Sequence, residues 1–585
     1  MLGQIISIDD NKLLLKLNVQ VERVQNLINL FVLIADNQKN FIGEIVLINE
    51  HVAEVMLLGE YINNNFIYGL TTKPSFGAKV DLISPEHVSR IFGVESEQNK
   101  KSITIGKSPF YNNISITANI NSFFGEHFAI MGSTGSGKSC GFARLMQNLF
   151  SNEMFVPTNS NFFIFDAYGE YHNAFSALHE KNNKINFKAY TTNQTSFDDL
   201  IQIPLWLLDI DDISLLLGVE HASQIPIVEK ALKLVTIFSK KDDSVVKNKN
   251  SIIARALIDI LMSGRKPSQM RDQFISVLTN YNTPELNLET PVFQPGYTRP
   301  LKQCLLIDQT GKIRAIELII SFLQNYIVPD MHLEMPDGSF RYTLSDLSYA
   351  FDLALIDEGI LRNEALYNSA NYLKVRLNTL YNSENKIYFE YPQYVTKEEY
   401  INSLVTLKDG SKAQVVNFNI NYIDDRLAKN ITKIYSKLLF NYSRGLAKRA
   451  SRPFNIILEE AHRYVQNDTD ISIIGYNIFE RIAKEGRKYG VLLGLITQRP
   501  SELSETVLAQ CNNFMLFRML HPSDIEFINR MVPNITSEVI KKMKTLQPGL
   551  CMTFGTAFKL PIITKMDMPN PSPSSNSCDL SGIWY

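Results

Sequence analysis

At 585 residues, with 58 Lys and Arg against 60 Asp and Glu and a formal net charge of −2, the chain has room for about three domains and carries no general basic field. Any contact with nucleic acid therefore requires a local patch, or a surface concentrated by oligomerisation. Five cysteines, Cys140, Cys304, Cys511, Cys551 and Cys578, are odd in number and lack CxxC spacing, which argues against a disulfide framework or a zinc site and for a reducing compartment.

Residues 1–95 hold short runs rich in Val, Ile and Leu, among them "GQIISI", "KLLLKLNV", "FVLIA", "GEIVLI" and "EVMLLGE", with Asn, Asp and Gly between them. That spacing predicts a small antiparallel β-barrel, whose last strand follows the turn at Pro74 and Gly77. It holds no cluster of His, Cys and acids suited to catalysis, so a docking or ring-stabilising module is expected, one whose deletion spares nucleotide binding by the remainder. The start of the chain lacks a basic segment followed by an apolar block, and no apolar run reaches about 18 residues, so a cytoplasmic protein without membrane contact is expected. The polar stretch "ESEQNKKSITIGKSPFYNN" reads as a linker.

From about residue 100 the pattern changes to apolar strands alternating with helices, the signature of an α/β core. Phe128–Met131 reads as a strand, Gly132-Ser133-Thr134-Gly135-Ser136-Gly137-Lys138-Ser139 as a phosphate loop, and the following residues, from Cys140, as a helix. A polyphosphate needs several unpaired backbone N–H groups converging on one anion, and the glycines let the backbone come close. Lys138 supplies a cation for the β/γ-phosphates, Ser139 a hydroxyl for Mg²⁺, and the helix start its partial positive charge. The strand "NFFIFDA" then places Asp166, Gly169, Glu170 and Tyr171 near the loop; these either orient metal and water or simply make a tight turn.

The interval 205–405 is mainly helical in pattern and reads as an insertion that splits the core into a first part, 100–204, and a second, 406–565. Within it, "SKKDDSVVKNKNS" is mixed in sign and reads as a solvated loop. After the interval come strands at "AQVVNFNI", "FNIILEE", "GVLLGLIT", "NFMLFRM" and "CMTFGTAF". Glu459 and Glu460 close the second of these, at the carboxyl end where ligands bind in open α/β sheets. Glu459 suits the Mg²⁺ shell and Glu460 the polarisation of an attacking water, against the alternative of a charged helix start. Gln498 ends the next strand, as a γ-phosphate sensor or as a cap for the loop. Before it, Arg481, Lys484, Arg487 and Lys488 are either a solvated face or the source of an arginine finger, for which Arg487 is chosen ahead of Arg481, Arg499 and Arg518. The tail, 566–585, is rich in Pro, Ser and Asn and reads as disordered, unless its apolar end Ile583–Tyr585 docks.

Together, "GSTGSGKS", "FDAYGEY", "ILEEAH" and "GRKYGVLLGLITQRPSEL" closely resemble the HerA family of ring-forming DNA translocases, within the HerA/FtsK group of RecA-like ATPases. The amino-terminal strands resemble that family's HAS barrel, and the resemblance is weakest over 205–405. It implies a RecA-like P-loop core, a hexamer threading duplex DNA, and ATP with Mg²⁺ between subunits. It carries over Lys138, Ser139, Glu459 and Glu460, with Gln498 as sensor and Arg487 as finger. It also implies a partner nuclease or another effector, in DNA end processing or phage defence, since the chain itself shows no nuclease constellation. A ring scaffold in which ATP is a structural ligand or switch is the competing expectation. The sequence assigns no DNA-contacting residue.

Overall fold

The computed structural model describes every residue except 19–26, 37–38, 63–64, 94–100, 152–154, 240–242, 295, 330–333, 358–363, 533–534, 536, 575–579, 581–583 and 585. The chain divides into two compact units. One comprises Met1–Asp199, Ser403–Asn467 and Ile478–Tyr585, and the other Leu200–Asn402 with Asp468–Asn477.

The first unit begins with a closed barrel. Strands Gly3–Ile8, Lys12–Leu17, Phe31–Asp36, Lys39–Asn49, Val52–Ile62 and Lys79–Leu82 pair in a ring that Lys12–Leu17 closes against Val52–Ile62, and Asn65–Tyr68 is appended at its side. Alternation drives it: Leu13, Leu15 and Leu17 point into the barrel while Leu14 and Lys16 face out. Val52–Ile62 breaks that alternation, with an almost unbroken buried run. The reason is that Phe31, Ile42, Met56 and Leu58, on the barrel's outer face, share a core with Ile105, Ile116, Phe123 and Phe128 of the following domain. Lys542 adds a half-buried ion pair to Glu44 at 2.6 Å.

The expected linker is therefore corrected in part. Residues 95–100 of it lie outside the described residues, but Ser102–Lys107 is a strand of the main sheet, paired with Ser115–Asn119. The shared core also bears on the expectation that deleting the barrel spares nucleotide binding by the remainder while disturbing assembly or effector recruitment. Removing 1–95 uncovers several large apolar side chains, at ~1.5–3 kcal/mol each. The truncated chain is expected to aggregate, or to melt well below the full chain by scanning fluorimetry, rather than to retain nucleotide binding; an unchanged melting temperature would contradict the shared core.

The main sheet carries seven parallel strands, labelled here in chain order: β1 (His127–Met131), β2 (Phe162–Asp166), β3 (Phe187–Thr191), β4 (Val415–Asn419), β5 (Phe454–Glu459), β6 (Val491–Thr497) and β7 (Cys511–Phe517). They lie side by side as β3-β4-β2-β5-β6-β1-β7, and Leu550–Gly555, Ile562–Lys565, Ser102–Lys107 and Ser115–Asn119 extend the sheet antiparallel beyond β7. β1, β2 and β6 are buried at every residue, which explains their apolar runs. Because Met131 is level with Thr497 and Glu459 with Ile496, the ends of β1, β5 and β6 meet at one edge. This is the expected class: an α/β P-loop core with an amino-terminal barrel.

The second unit is built from helices, including Ile225–Ser239, Asp243–Leu261, Pro267–Tyr281 and Leu344–Asp357, with a hairpin of Pro291–Gln294 and Tyr297–Pro300 that the helical pattern concealed. Trp206 anchors it by donating from its indole nitrogen to the Val395 carbonyl at 2.8 Å. Of the mixed-charge stretch, 240–242 lies outside the described residues, and the rest from Asp243 is helix rather than loop.

The tail is not disordered along its first part. Gln147 donates to the Pro571 carbonyl at 2.9 Å and accepts from the Asn570 N–H at 2.9 Å, and the Ser574 N–H donates to the Glu170 carbonyl at 2.8 Å. Gln147 is buried on the helix after the phosphate loop, where it also donates to the Ala174 carbonyl at 3.3 Å, and the strap completes its hydrogen bonding. Ile583, Tyr585 and Cys578 lie outside the described residues, and Trp584 is 70% exposed. Among the described residues no helix is long and apolar enough to cross a membrane.

Candidate nucleotide site

The phosphate loop leaves β1 with its backbone already fixed. The Gly132 N–H donates to the Thr497 carbonyl at 3.3 Å, the Ser133 N–H to the Arg518 carbonyl at 2.9 Å, and the Gly549 N–H to the Ser136 carbonyl at 3.0 Å. A side chain at Gly132 would meet the Phe517 Cβ at 2.6 Å, and Gly137 sits at φ 106°, so neither tolerates replacement. Gly137 is also the N-cap of Lys138–Phe150 and offers no side chain to the first-turn N–H groups, including that of Cys140, which remain available to an anion. The Ser136 Oγ is buried without a partner.

Lys138 is buried, and its ammonium rests on the Ser133 carbonyl at 3.1 Å. Burial pushes its pKa down, while Glu460, Glu459 and Glu170 oppose that. Removing this ammonium deletes a charge-assisted contact worth about 1.5–3 kcal/mol. Lys138→Ala is therefore expected to weaken nucleotide binding roughly 10- to 150-fold in a fluorescent-analogue titration, and wild-type affinity would contradict the cradle.

The acids converge on the same edge. Glu459 is fully buried, and its carboxylate accepts from the Ala167 N–H at 3.1 Å. Burial, then the neighbouring Asp166, holds its pKa well above the ordinary range. Asp166 itself is pinned, accepting from the Glu170 and Tyr171 N–H groups at 3.0 Å each and from Asn417 at 3.2 Å. Burial raises the pKa of Glu170, opposed first by the nearby Ser139 hydroxyl. The turn in "FDAYGEY" is tight, with Gly169 at φ 72°, and it holds Glu170 close enough to Ser139 and Lys138 for both to lower its pKa.

Glu460 stands in the left-handed region at φ 47°, a conformation that costs a non-glycine residue on the order of 1 kcal/mol or more. The turn takes it off the sheet axis, buried, with its Oε2 lacking a hydrogen-bond partner. His462 Nδ1 is 3.3 Å from that oxygen, but burial lowers the imidazole's pKa and its shorter contact is the Thr497 hydroxyl at 3.0 Å. Glu460 is therefore held up by burial, moderated by Lys138 and by the Gln498 backbone N–H, and keeps an acceptor free. Gln498 closes the site from β6, its side-chain carbonyl accepting from the Thr134 hydroxyl.

These residues fit a nucleotide triphosphate with Mg²⁺. Ser139 and Glu459 would hold the metal, which prefers one or two protein oxygens beside phosphate oxygens and waters. Consistent with that, no group of three or more His, Cys, Asp or Glu among the described residues is arranged to hold a metal alone. The Ser136 Oγ of the loop and the Glu460 Oε2 are both buried without a hydrogen-bond partner.

Arg487 is not brought to this edge. It ends the helix Ile478–Tyr489, just before β6 begins, and pairs with Glu126, which also accepts from Asn512 at 2.8 Å. Seven residues of β6 separate it from Gln498, about 20 Å at the strand rise, so it cannot serve its own site. Arg499 pairs with Glu502 at 2.9 Å, Arg481 packs on Phe440, and Arg518 lies beside the loop with its Nε buried and unpartnered. Sequence reasoning missed Asn417, His462 and Thr497, which fix the acids. The signal for His462 was its place two residues after Glu460; Asn417 gave none, because its proximity to Asp166 comes from strand order.

The sequence model of the helicase HerA central domain matches residues 103–286, the stretch that carries the phosphate loop, Asp166 and Glu170. The helicase HerA of Pyrococcus furiosus, named for DNA double-strand break repair, aligns with it over 519 residues at 22% identity, covering 88% of this chain and 77% of that protein. The chain is thus similar to HerA helicases. A probable helicase of Methanocaldococcus jannaschii, MJECL08, is 39% identical over 120 residues, covering 20% of this chain and 22% of that protein. A second from that organism, MJ1565, is 27% identical over 250 residues, covering 42% and 44%. The chain thus spans less than half the length of these two relatives. Among solved structures, VirB4 of Thermoanaerobacter pseudethanolicus superposes with TM-score 0.41 at 12% identity, over 80% of this chain and 96% of that one. The conjugative coupling protein TrwB does so with TM-score 0.40 at 10% identity, over 82% and 91%.

Proposed function

We propose that this chain is an ATP-hydrolysing motor that assembles into a ring, a hexamer by its family resemblance, and translocates on duplex DNA in concert with a nuclease or other effector. The observation that carries the reading is the strained, buried Glu460, with an unpartnered oxygen beside Lys138 and Gln498. A structural acid would gain nothing from such a conformation, whereas a general base for water attack gains a fixed aim.

In this reading the loop N–H groups and Lys138 bind the phosphates. Ser139 and Glu459 would hold Mg²⁺, which would supply charge stabilisation for the phosphates. Glu460 takes the proton of the attacking water, and Gln498, tied to Thr134, reports γ-phosphate loss to β6 and its loop. Arg487, too far from its own loop, acts on a neighbour's nucleotide, so hydrolysis requires the ring. The relatives' names include helicase and double-strand break repair, which supports DNA as the track. The helical unit is an insertion in this motor, and the barrel, sharing a core with it, carries ring or effector contacts.

A triplex-displacement assay tests the reading. The ring-sized fraction should release a third strand from duplex DNA with ATP and not with a non-hydrolysable analogue. Release independent of hydrolysis, or none under conditions in which ATP is consumed, would replace the motor with an ATP-switched scaffold.

A further inference from the structure

Two basic runs that lie apart in the sequence come together at the amino-terminal edge of the sheet, opposite the nucleotide site. The first runs from the last turn of the helix Asp425–Gly445 into the loop before β5, where Arg444, Lys448, Arg449 and Arg452 occur in "RGLAKRASR" with no acid among them. The second is the end of Ile478–Tyr489, with Lys484, Arg487 and Lys488. The two backbones touch at Gly490: at φ 78°, a Cβ there would sit 3.2 Å from the Ala450 Cα, and the Phe454 N–H donates to the Gly490 carbonyl at 2.8 Å.

Aromatic rings order these arginines. Arg444 and Arg449 both lie over the Tyr489 ring, at 5.9 and 5.7 Å, and Arg452 lies over Tyr442 at 5.6 Å. A guanidinium stacked on a ring keeps its edge N–H groups free for a planar oxyanion, and the stacking reduces the entropy lost on binding. The acids in reach are engaged elsewhere: Glu126 with Arg487 and Asn512, Glu480 with Lys484 and Ser504, Glu485 with Arg481. Arg444, Lys448, Arg449 and Lys488 are exposed and have no carboxylate partner among the described residues. In a chain of net charge −2 this concentration stands apart.

We infer that this face, centred on Arg444, Lys448, Arg449 and Lys488, binds the phosphate backbone of duplex DNA. The inference rests on the DNA-motor reading above and adds to it the contact residues that the sequence left unassigned. Contacts of this kind position the duplex without reading its bases, as a motor that must work on any sequence requires.

The test is fluorescence anisotropy of a labelled 30-base-pair duplex titrated with full-length protein across a salt series. The variants are Lys448→Ala/Arg449→Ala and, as a charge-matched control on the barrel, Lys16→Ala/Lys79→Ala. Each lost phosphate contact lowers the slope of log affinity against log salt by about 0.9. The patch variant should lose roughly tenfold or more in affinity, with a slope shallower by about 1–2, while the control stays within about twofold and both elute as wild type on size exclusion. Equal binding by wild type and patch variant, an equal loss in the control, or a patch variant that falls out of the ring would each overturn the inference while leaving the motor reading standing. A wild type that binds no duplex at low salt would remove both.

Discussion

Replacing Glu460 with Gln is expected to leave nucleotide bound and hydrolysis abolished. The amide matches the carboxylate in size, so the buried space, the left-handed turn and the cradle around Lys138 survive, and affinity should remain within a few-fold of wild type. Gln cannot accept a proton from water, and general-base assistance contributes about 10²–10⁴ in rate. The carboxylate is held up by burial and drawn down by Lys138 and the Gln498 N–H, so the wild-type rate should fall as pH drops through this raised pKa, and that limb should be missing from any residual activity of the variant. Steady-state phosphate release with a parallel binding titration separates the two effects. A variant that hydrolyses at the wild-type rate would move the base elsewhere; Glu170, the other carboxylate beside Ser139, would be the first candidate.

Arg487→Ala should be as severe, for a different reason. An arginine finger contributes about 10³–10⁵ to phosphoryl transfer, and the structure places this guanidinium about 20 Å from its own loop by the rise of β6. Its pairing with Glu126, itself mostly buried, anchors the guanidinium at the edge while the side chain stays 63% exposed. The defect should therefore depend on the neighbour. In rings mixed from Arg487→Ala and Glu460→Gln subunits, some interfaces join an intact Arg487 to an intact Glu460, and partial activity should return that neither pure ring has. Full activity of Arg487→Ala alone would pass the role to Arg481, Arg499 or Arg518. Of these, Arg518 is the one beside the loop within the same chain, through its carbonyl on the Ser133 N–H. An inactive variant that verified mixed rings fail to rescue would instead favour an effect on ring coordination.

The sequence revealed the parts of this site that depend on local order. Gly132–Ser139 must follow a strand and precede a helix, and Glu459–Glu460 must end a strand, and both facts are visible in a dozen residues each. What it could not show depends on which strands are neighbours. Asn417 meets Asp166 because β4 lies beside β2, though some 250 residues separate them. The barrel looked separable because its strands alternate, yet the buried run of Val52–Ile62 was a warning that one side faces another core. The strand Ser102–Lys107 was hidden inside a polar stretch, since an outer strand of an antiparallel extension needs only one apolar face. Likewise the tail's polar composition suggested disorder, whereas it answers the buried Gln147 with backbone groups. The basic face was invisible for the same reason as Asn417: its two halves are joined by folding, through Gly490.

The central claim is that hydrolysis at Glu460 is coupled to movement on DNA, and the most direct measurement is the ATPase rate of size-fractionated protein with and without long duplex DNA. A motor predicts turnover concentrated in the ring-sized fraction and stimulated several-fold by duplex, with Glu460→Gln inactive in both states. Turnover that is equal in monomer and ring, or indifferent to duplex at concentrations where binding is saturated, would contradict it.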